Sequence, residues 1–463
     1  MKNNKKLLLK NVCICLSILI GVYLIFSTNL AYQNEKLMSL TEIIRFNIKL
    51  FLISKAGLID TKQTQSKILQ ILSNDEIMIK FHRELQNKYK TKYDKQYIKT
   101  YILTNDYNYY ILDPELAKKI LEDSPVLFSA GKMKEEFFKR TMPNNLGIAK
   151  CKDLDNPSKG CPWKNMRVFN ENVLGTKNEN HFFSCINGII NRHITKPLLT
   201  INDFKIASTN IVCQTLFGTN GKNLCLFERI HYEFINNKDV LKTKFYKDYK
   251  NHLHKSYKNA PKCSLNYLVN NYQNNNYDVI DDQIPHWTGP FRFIINYLIP
   301  SLLCIIVNFD DIKQKLMTEF KQKNFDVHSK YSYLHYCVIE HIRMFNTINI
   351  NMQRTANRNM NYNGLNLVKG DQIFILFSSI LRDPKLFSEP DNFKPERWVN
   401  KDLESQNIVF SIGPQQCPSK NITPLYYKTI IHRLLTKFAY NNVEPKLKSK
   451  KITYINPYDI KFY

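Results

Sequence analysis

Glycine is scarce, with 13 in 463 residues, under half of the ~7% usual in soluble proteins. No G-x-G-x-x-G and no G-x-x-x-x-G-K-[ST] occurs, so the chain has neither common glycine-rich phosphate cradle. Metal-spaced cysteines are lacking as well. The eleven cysteines, at 13, 15, 151, 161, 185, 213, 225, 263, 304, 337 and 417, form no C-x-x-C, and there is no H-E-x-x-H. An odd count at irregular spacing suits reduced thiols in a reducing compartment, although Cys151 and Cys161 could pair. No proline precedes Pro114, and no internal repeat is present, which excludes a solenoid. Acidic residues are few, 40 against 66 Lys+Arg, for a net charge of +26. The lysines are spread along the whole chain, so no nucleic-acid partner is expected from the charge. What remains, 43% hydrophobic and 23% charged, is a globular mixture sufficient for one large or two medium domains.

The N-terminus carries Lys2, Lys5, Lys6 and Lys10, then 21 uncharged residues from Val12 to Tyr32. As a helix these would reach ~31 Å, enough for a bilayer core. A cleaved signal peptide is the competing reading, with small residues at Ser27-Thr28-Asn29-Leu30-Ala31. The segment is read here as one uncleaved anchor at 12–32, after a basic tail at 1–11 and before a linker at 33–74. The positive-inside rule places the tail in the cytoplasm, while Lys36, Arg45 and Lys49 beyond the span leave the orientation open.

Further along, the spacing of Ile77, Met78, Phe81 and Leu85 predicts an amphipathic helix over 75–93. Residues 101–103 and 109–112 read as a hairpin. Asp113-Pro114 opens a helix to Leu121, with the aspartate as N-cap and the proline at N1. Residues 180–217 read as helical with a break at Pro197, and much of 227–268 as helical. Residues 270–277 are an Asn-rich loop. The apolar stretch 291–308 predicts a buried helix interrupted at Pro300. A helix over 331–346 and strands near 365–368 and 372–377 follow, then a helix over 421–438. Helices dominate, with a minority of short strands.

Four motifs follow one another. Trp163 and Arg167 stand at i, i+4, two donors on one helical face that could grip a carboxylate. Glu340 and Arg343 lie in an apolar helix with Leu334, Cys337, Val338 and Ile342, where burial makes each charge need the other and a third partner. That partner is Arg397 in Phe393-Lys-Pro-Glu-Arg-Trp398, downstream of Asp383-Pro384. Finally, Phe410-Ser-Ile-Gly413-Pro-Gln-Gln-Cys417 sets a lone cysteine just before a helix, where backbone N–H groups stabilise a thiolate.

Taken in order, W-x-x-x-R, E-x-x-R, P-E-R-W and F-x-x-G-x-x-x-C resemble the cytochrome P450 family from about residue 75 to the C-terminus. Residues 333–343 resemble its K helix, 112–116 its B-helix entry, and Arg382-Asp383-Pro384 its R-D-P step. The resemblance implies a mainly α fold with small β-sheets, an α+β cytochrome P450 fold over 75–463 behind one membrane anchor helix. It implies haem b with Cys417 as axial thiolate ligand to iron, in a pocket involving Trp163, Arg167, Phe410, Gly413 and Gln415. Glu340, Arg343 and Arg397 would form a structural triad. The implied setting is a membrane of the endoplasmic-reticulum type, with an NADPH-dependent flavoprotein reductase as partner. Lys164, Lys420, Lys428 and Arg433 would be its docking cations.

The sequence also departs from that family. Gln415 stands where an Arg or His usually binds a haem propionate, Ser419 where a glycine is usual, and the proline-rich hinge after the anchor is lacking. In the central helix the family's acid–threonine pair is gone. The threonine position falls on Ile294, and between Pro290 and Pro300 there is no Thr, Ser, Asp or Glu. Asn296 is the remaining weak catalytic candidate. Thr288 and Ser301 flank the stretch, each more than a turn from Ile294. Phe291, Phe293, Ile294, Ile295 and Leu298 would either line an apolar substrate site or form plain helix core. The leading expectation is a monooxygenase acting on an apolar small molecule or lipid. The alternatives are a haem-thiolate isomerase or dehydratase of lipid peroxides that needs neither O₂ nor reductase, and a vestigial haem-binding protein.

Overall fold

The computed structural model describes residues 97–102, 106–131, 134–135, 138–139, 142–149, 162–175, 179–218, 233, 240–258, 260, 262–270, 280–345, 352–400, 402–403, 407–452 and 455–463. The tail, anchor and linker (1–74), the helix expected over 75–93, the loop at 271–277 and Cys13, Cys15, Cys151, Cys161 and Cys225 lie outside them.

Tyrosine and isoleucine alternation builds the first hairpin, β1 (Tyr97–Ile102) and β2 (Asp106–Ile111), in register Tyr97↔Ile111. The period of two sends Tyr109 and Ile111 into the core, while Tyr110 stacks on Phe374. With β3 (Phe128–Ala130), β4 (Met352–Ala356) and β7 (Gln372–Ile375), the hairpin forms a five-stranded sheet of order β1-β2-β7-β4-β3. The β2–β7 pair is parallel, joining chain segments far apart in sequence, and the other pairs are antiparallel. Two-stranded sheets from β5 (Met360–Tyr362) with β6 (Leu365–Leu367), and β8 (Val443–Glu444) with β9 (Lys461–Phe462), complete the strands.

Helix α1 (Pro114–Glu122) starts as its cap predicts: the Asp113 side chain accepts from the Leu116 N–H at 2.8 Å. Helices α2 (Pro162–Leu174), α3 (Glu179–His193), α4 (Ile201–Phe217), α5 (Lys244–Lys258) and α6 (Leu265–Asn270) follow. The break near Pro197 separates α3 from α4, whose start is a Thr200–Asp203 capping box.

The central helix α7 runs from Ile284 to Asn308 without a break at Pro300, which differs from the sequence expectation. A π-helical turn over Ile294–Leu298 absorbs the proline: the Ile299 N–H reaches back five residues to the Ile294 carbonyl just before the residue that has no N–H. Although long and apolar enough to cross a membrane, α7 is mostly buried inside the protein, as the core helix of a globular domain is. Helices α8 (Asp310–Phe320), α9 (Tyr333–Phe345) and α10 (Ile422–Lys437) pack around its C-terminal half. One hydrophobic core runs through sheet and helices.

The cysteines differ from expectation in one respect. Cys185 and Cys263 are joined as a disulfide, their Cα atoms 5.1 Å apart. A sequence separation of 78 carries no pairing signal, so irregular spacing could not reveal it.

Candidate functional site

The Cys417 loop is shaped by left-handed backbone. Ser411 has φ +60° and Gly413 φ +70°. A Cβ on Gly413 would meet the Glu122 Cα at 2.7 Å and the Leu121 carbonyl at 2.8 Å, so the loop seats against the end of α1 only with glycine there. The turn is closed by the Cys417 N–H donating to the Phe410 carbonyl at 2.7 Å, and Phe410 packs against the core. Cys417 is a free, half-buried thiol with the Ser419 hydroxyl 3.3 Å from its sulfur, at the entrance to α10. The serine that replaces the usual glycine therefore adds a hydroxyl to the sulfur's surroundings. Gln415 is half-buried and hydrogen-bonds to no group among the described residues.

Helix α2 brings Arg167 to this loop. Its Nη1 donates to the Gln416 carbonyl, and Nε donates to Glu171 at 2.8 Å. Arg167 is thus already paired within its own helix, while the half-buried Trp163 indole donates to no group among the described residues. The structure brings Arg167 and Cys417 into one loop contact, and Trp163 stands one turn earlier on α2.

Two further cations reach the same place, and motif reading missed both. Arg354 on β4 is buried, donates to Ser124 Oγ at 3.1 Å and to the Gln353 carbonyl at 2.8 Å, and meets no carboxylate among the described residues. Burial brings its pKa down to about 10. Lys134 lies beyond β3, with Nζ 5.4 Å from the Phe138 ring centre. Burial and then the charge of Arg354 pull its pKa down to about 8, against a raising influence from Cys417. Lys134 itself is exposed to solvent. The readable signal for Arg354 was register: in β4 it shares the inward face with Ala356, an unusual direction for a cation. Lys134 gave no such signal.

On α9 the charges interlock. Glu340 accepts from Arg343 Nε and Nη2, both at 2.9 Å, from Arg397 Nε and Trp398 Nε1, both at 3.0 Å, and from the Lys394 N–H at 3.1 Å. Glu340 is fully buried, and Arg343 and Arg397 nearly so. Burial pushes the carboxyl up, but the two guanidinium groups and their hydrogen bonds outweigh it and hold the pKa below the ordinary value. The guanidinium groups then grip the carbonyls of Leu381, Pro390 and Ser388, fastening α9 to the segment 381–398.

Next to this lock, His341 is fully buried and bridges Ser301 Oγ and Tyr427 OH, both at 2.8 Å. Tyr427 donates to the Leu298 carbonyl, and so does Ser301 at 2.9 Å, so the neutral imidazole's single N–H donates to one of these two hydroxyl oxygens. Burial holds the imidazole neutral, with a pKa of about 3. The bridge ties the π-turn of α7 to α9 and α10. It also commits Ser301, one of the alcohols flanking the distal stretch. The other, Thr288, donates to its own helix at Ile284. Within the stretch, Tyr297 pairs with Tyr458 at 3.1 Å, whereas the Asn296 side-chain oxygen is buried without a partner. Phe291 packs edge-on against Tyr426 and Phe293 against Tyr297; Phe291, Ile294, Ile295 and Leu298 are buried in the core.

At the start of α7, Asp281 and Asp282 are buried. Asp281 accepts from Tyr257 OH at 2.9 Å and contacts His254 Nε2 at 2.9 Å. Asp282 accepts from the Asn144 N–H at 2.7 Å and Tyr246 OH at 3.3 Å. Burial raises the Asp282 pKa to about 6 against these bonds.

One of the four expected docking cations is not on the surface: Lys428 is buried and donates to the His328 and Ser329 carbonyls at 2.9 Å. Arg433 is half-buried and donates to the Ile194 carbonyl. Lys164 and Lys420 are exposed.

Fold and site together define a mainly helical α+β protein with a cysteine loop at the entrance to α10. Residues 302–462 match the family described as Cytochrome P450. The chain is 32% identical over 108 residues to "Cytochrome P450 85A1" of Solanum lycopersicum, covering 23% of each chain. It is 28% identical over 155 residues to "Cytochrome P450 3A17" of Cavia porcellus, covering 30% of this chain and 31% of that one. It is 27% identical over 173 residues to "Tabersonine/lochnericine 19-hydroxylase" of Catharanthus roseus, covering 35% and 33%. Over its C-terminal third this chain is similar to the cytochrome P450 family, as a divergent relative. The matches span under a third of the first of these relatives' own lengths. The family implies haem with a cysteine thiolate ligand.

Proposed function

We propose that residues 75–463 form a haem-thiolate oxidoreductase, a monooxygenase acting on an apolar small molecule or lipid, held at a membrane by 12–32 beyond the linker 33–74. The observation that carries the reading is Arg354, a buried cation that meets no carboxylate among the described residues, on the strand paired with β3 just before Lys134, an exposed lysine within electrostatic reach of Cys417. A buried cation with no carboxylate is costly by itself, and an anionic group seated against the thiol relieves it. Haem b, with two propionates and an iron that takes a thiolate, has that chemistry. When bound it supplies the redox chemistry of oxygen activation, the thiolate donating electron density to the iron. Cys417 would be the iron ligand. Trp163, with its unused indole N–H, and Arg167, Arg354 and Lys134 would hold the carboxylates. Gly413 and Phe410 shape the loop beneath, and Gln415 can donate a hydrogen bond without neutralising charge. Glu340, Arg343 and Arg397 keep that loop's supporting segment in place. An NADPH-dependent flavoprotein reductase would meet a face that includes Lys164 and Lys420.

A second reading has one observation in its favour. Thr288 and Ser301 are both committed within the protein, so the distal stretch offers only Asn296 as a free polar side chain. A residue set without an alcohol or acid to pass protons suits rearrangement or dehydration of a lipid peroxide, which carries its own oxygen. The deciding experiment is the carbon monoxide difference spectrum of the reduced full chain, followed by turnover assays. The wild type is expected to give the peak that names the family and Cys417→Ala to lose it. Product formed with NADPH and reductase supports the monooxygenase, and product formed from a fatty-acid hydroperoxide alone supports the isomerase. A chain that takes up no haem overturns both.

A further inference from the structure

We propose that Ser419 is a positioning residue for the Cys417 sulfur. Its hydroxyl, backed by that of Thr423, forms a two-link hydrogen-bond chain that draws charge from the thiolate and so sets the reduction potential of the iron it would hold. This rests on the haem-thiolate reading above. The Ser419 Oγ lies 3.3 Å from the Cys417 Sγ, and the Thr423 Oγ1 lies 3.4 Å from the Ser419 Oγ. Among the described residues neither hydroxyl has another hydrogen-bond partner. The state of the sulfur fixes the direction of both links. A thiolate has no proton and can only accept, so Ser419 gives it its one O–H. The serine oxygen is then free to accept, and the Thr423 O–H donates to it. Links ordered this way strengthen one another, because each hydroxyl polarises the next.

The local fold holds the chain of hydroxyls in place. Thr423 is the second residue of α10, and its N–H donates to the Ser419 carbonyl at 2.9 Å, which sets positions 419 and 423 one helical turn apart on the same face. Thr423 is buried, and its β-branched side chain has few rotamers, so the outer link is held in one place. The inner link is specific to this sequence. The glycine usual at this position in the family has no side chain and offers the sulfur no hydroxyl, whereas Ser419 does. A hydrogen bond to a ligand atom is one of the means by which a protein tunes its metal. Charge drawn toward the O–H is withheld from the iron. Weaker donation destabilises the oxidised iron more than the reduced iron, so the potential rises. It also lessens the push toward O–O cleavage that a thiolate supplies. That loss falls on a site whose flanking distal alcohols, Thr288 and Ser301, are already committed within the protein.

The test is a spectroelectrochemical redox titration of the full chain in detergent with haem added. Ser419→Gly and Ser419→Ala are expected to lower the one-electron reduction equilibrium constant of the iron on the order of tenfold, which is about 59 mV, because a hydrogen bond to a charged sulfur is lost. Alanine keeps ordinary backbone conformations, so agreement between the two variants assigns the effect to the hydroxyl and not to a loosened loop. Ser419→Thr restores the O–H and should return the wild-type potential. Thr423→Val keeps the side-chain shape but removes the outer link, and should shift the constant in the same direction by less. In resonance Raman spectra the iron–sulfur stretch should rise in frequency in each variant that lacks the inner link. An unmoved potential in both Ser419→Gly and Ser419→Ala, or an equal fall in Ser419→Thr, would overturn the proposal and leave the haem-thiolate reading standing. A chain with no haem absorption band overturns that reading, and the proposal with it.

Discussion

Replacing Glu340 by Gln removes the one negative charge shared by two buried guanidinium groups. The carboxylate now accepts from Arg343 twice, from Arg397, from Trp398 and from the Lys394 amide. A carboxamide offers one acceptor oxygen and turns two N–H donors toward groups that are themselves donors. Whichever way it is flipped, either the Trp398 indole and Arg343 Nε, or Arg397 Nε and the Lys394 amide, face an N–H. Both arginines keep their carbonyl partners at Leu381, Pro390 and Ser388, which moderates the loss. Breaking a buried pair costs about 3–5 kcal/mol, against a total stability of about 5–15 kcal/mol. The variant is thus expected to keep its fold only marginally. The assay is urea unfolding followed by far-UV circular dichroism and by tryptophan fluorescence, since the Trp398 indole touches the substituted atom.

The pH dependence has a definite sign. The folded pKa of Glu340 lies below its unfolded value, so its stabilisation is fully present above about pH 4.3, the unfolded value. It is lost as pH falls through the folded pKa. The gap between parent and variant should therefore narrow in acid. A loss below about 1 kcal/mol at neutral pH, the size of an exposed ion pair, or a gap that widens in acid, would refute the assignment of Glu340 as a buried counter-charge.

Two other outcomes follow from the same geometry. Asp282 has a folded pKa raised to about 6, so the folded state binds the proton more tightly, and stability declines as pH rises from its unfolded value near 3.8 through that range. The decline should total at most about 3 kcal/mol, and Asp282→Asn should abolish it in a pH series of melting temperatures; an unchanged slope would refute it. Gln415→Arg returns a cation to the Cys417 loop, and haem transfer from the full chain to apomyoglobin should slow on the order of tenfold, the size of a charged hydrogen bond. An unchanged transfer rate would show that Arg354 and Lys134 already supply the charge that position usually carries.

What could be read from the chain was local in origin. The Asp113-Pro114 cap, the alternating tyrosines of β2 and the helix around Glu340 each state their conformation within a few residues, and each formed where its pattern placed it. Arg397 was a readable partner for Glu340 because two buried charges demand a third group and the P-E-R-W segment offers one. The rest depended on where distant segments meet. Arg354 becomes a site residue only because β4 pairs with β3 in the register Ala130↔Arg354, bringing the strand's inward cation beside the segment that carries Lys134. Lys428 reads as a surface charge on a helix after Cys417, but α10 is buried over most of its length. A lysine placed there must end on a carbonyl, as Lys428 does at His328 and Ser329. Pro300 shows the same limit from the opposite side. A proline in a helix announces a missing N–H, but whether the chain breaks or shifts its register depends on its neighbours. Here the Leu298 carbonyl is held by Tyr427 and by Ser301, with His341 bridging their hydroxyls. Those contacts hold α7 on course through a π-turn. They also withdraw from the distal stretch the nearest alcohol that could have served chemistry, so the distal helix stays continuous while its chemically usable polar groups reduce to Asn296.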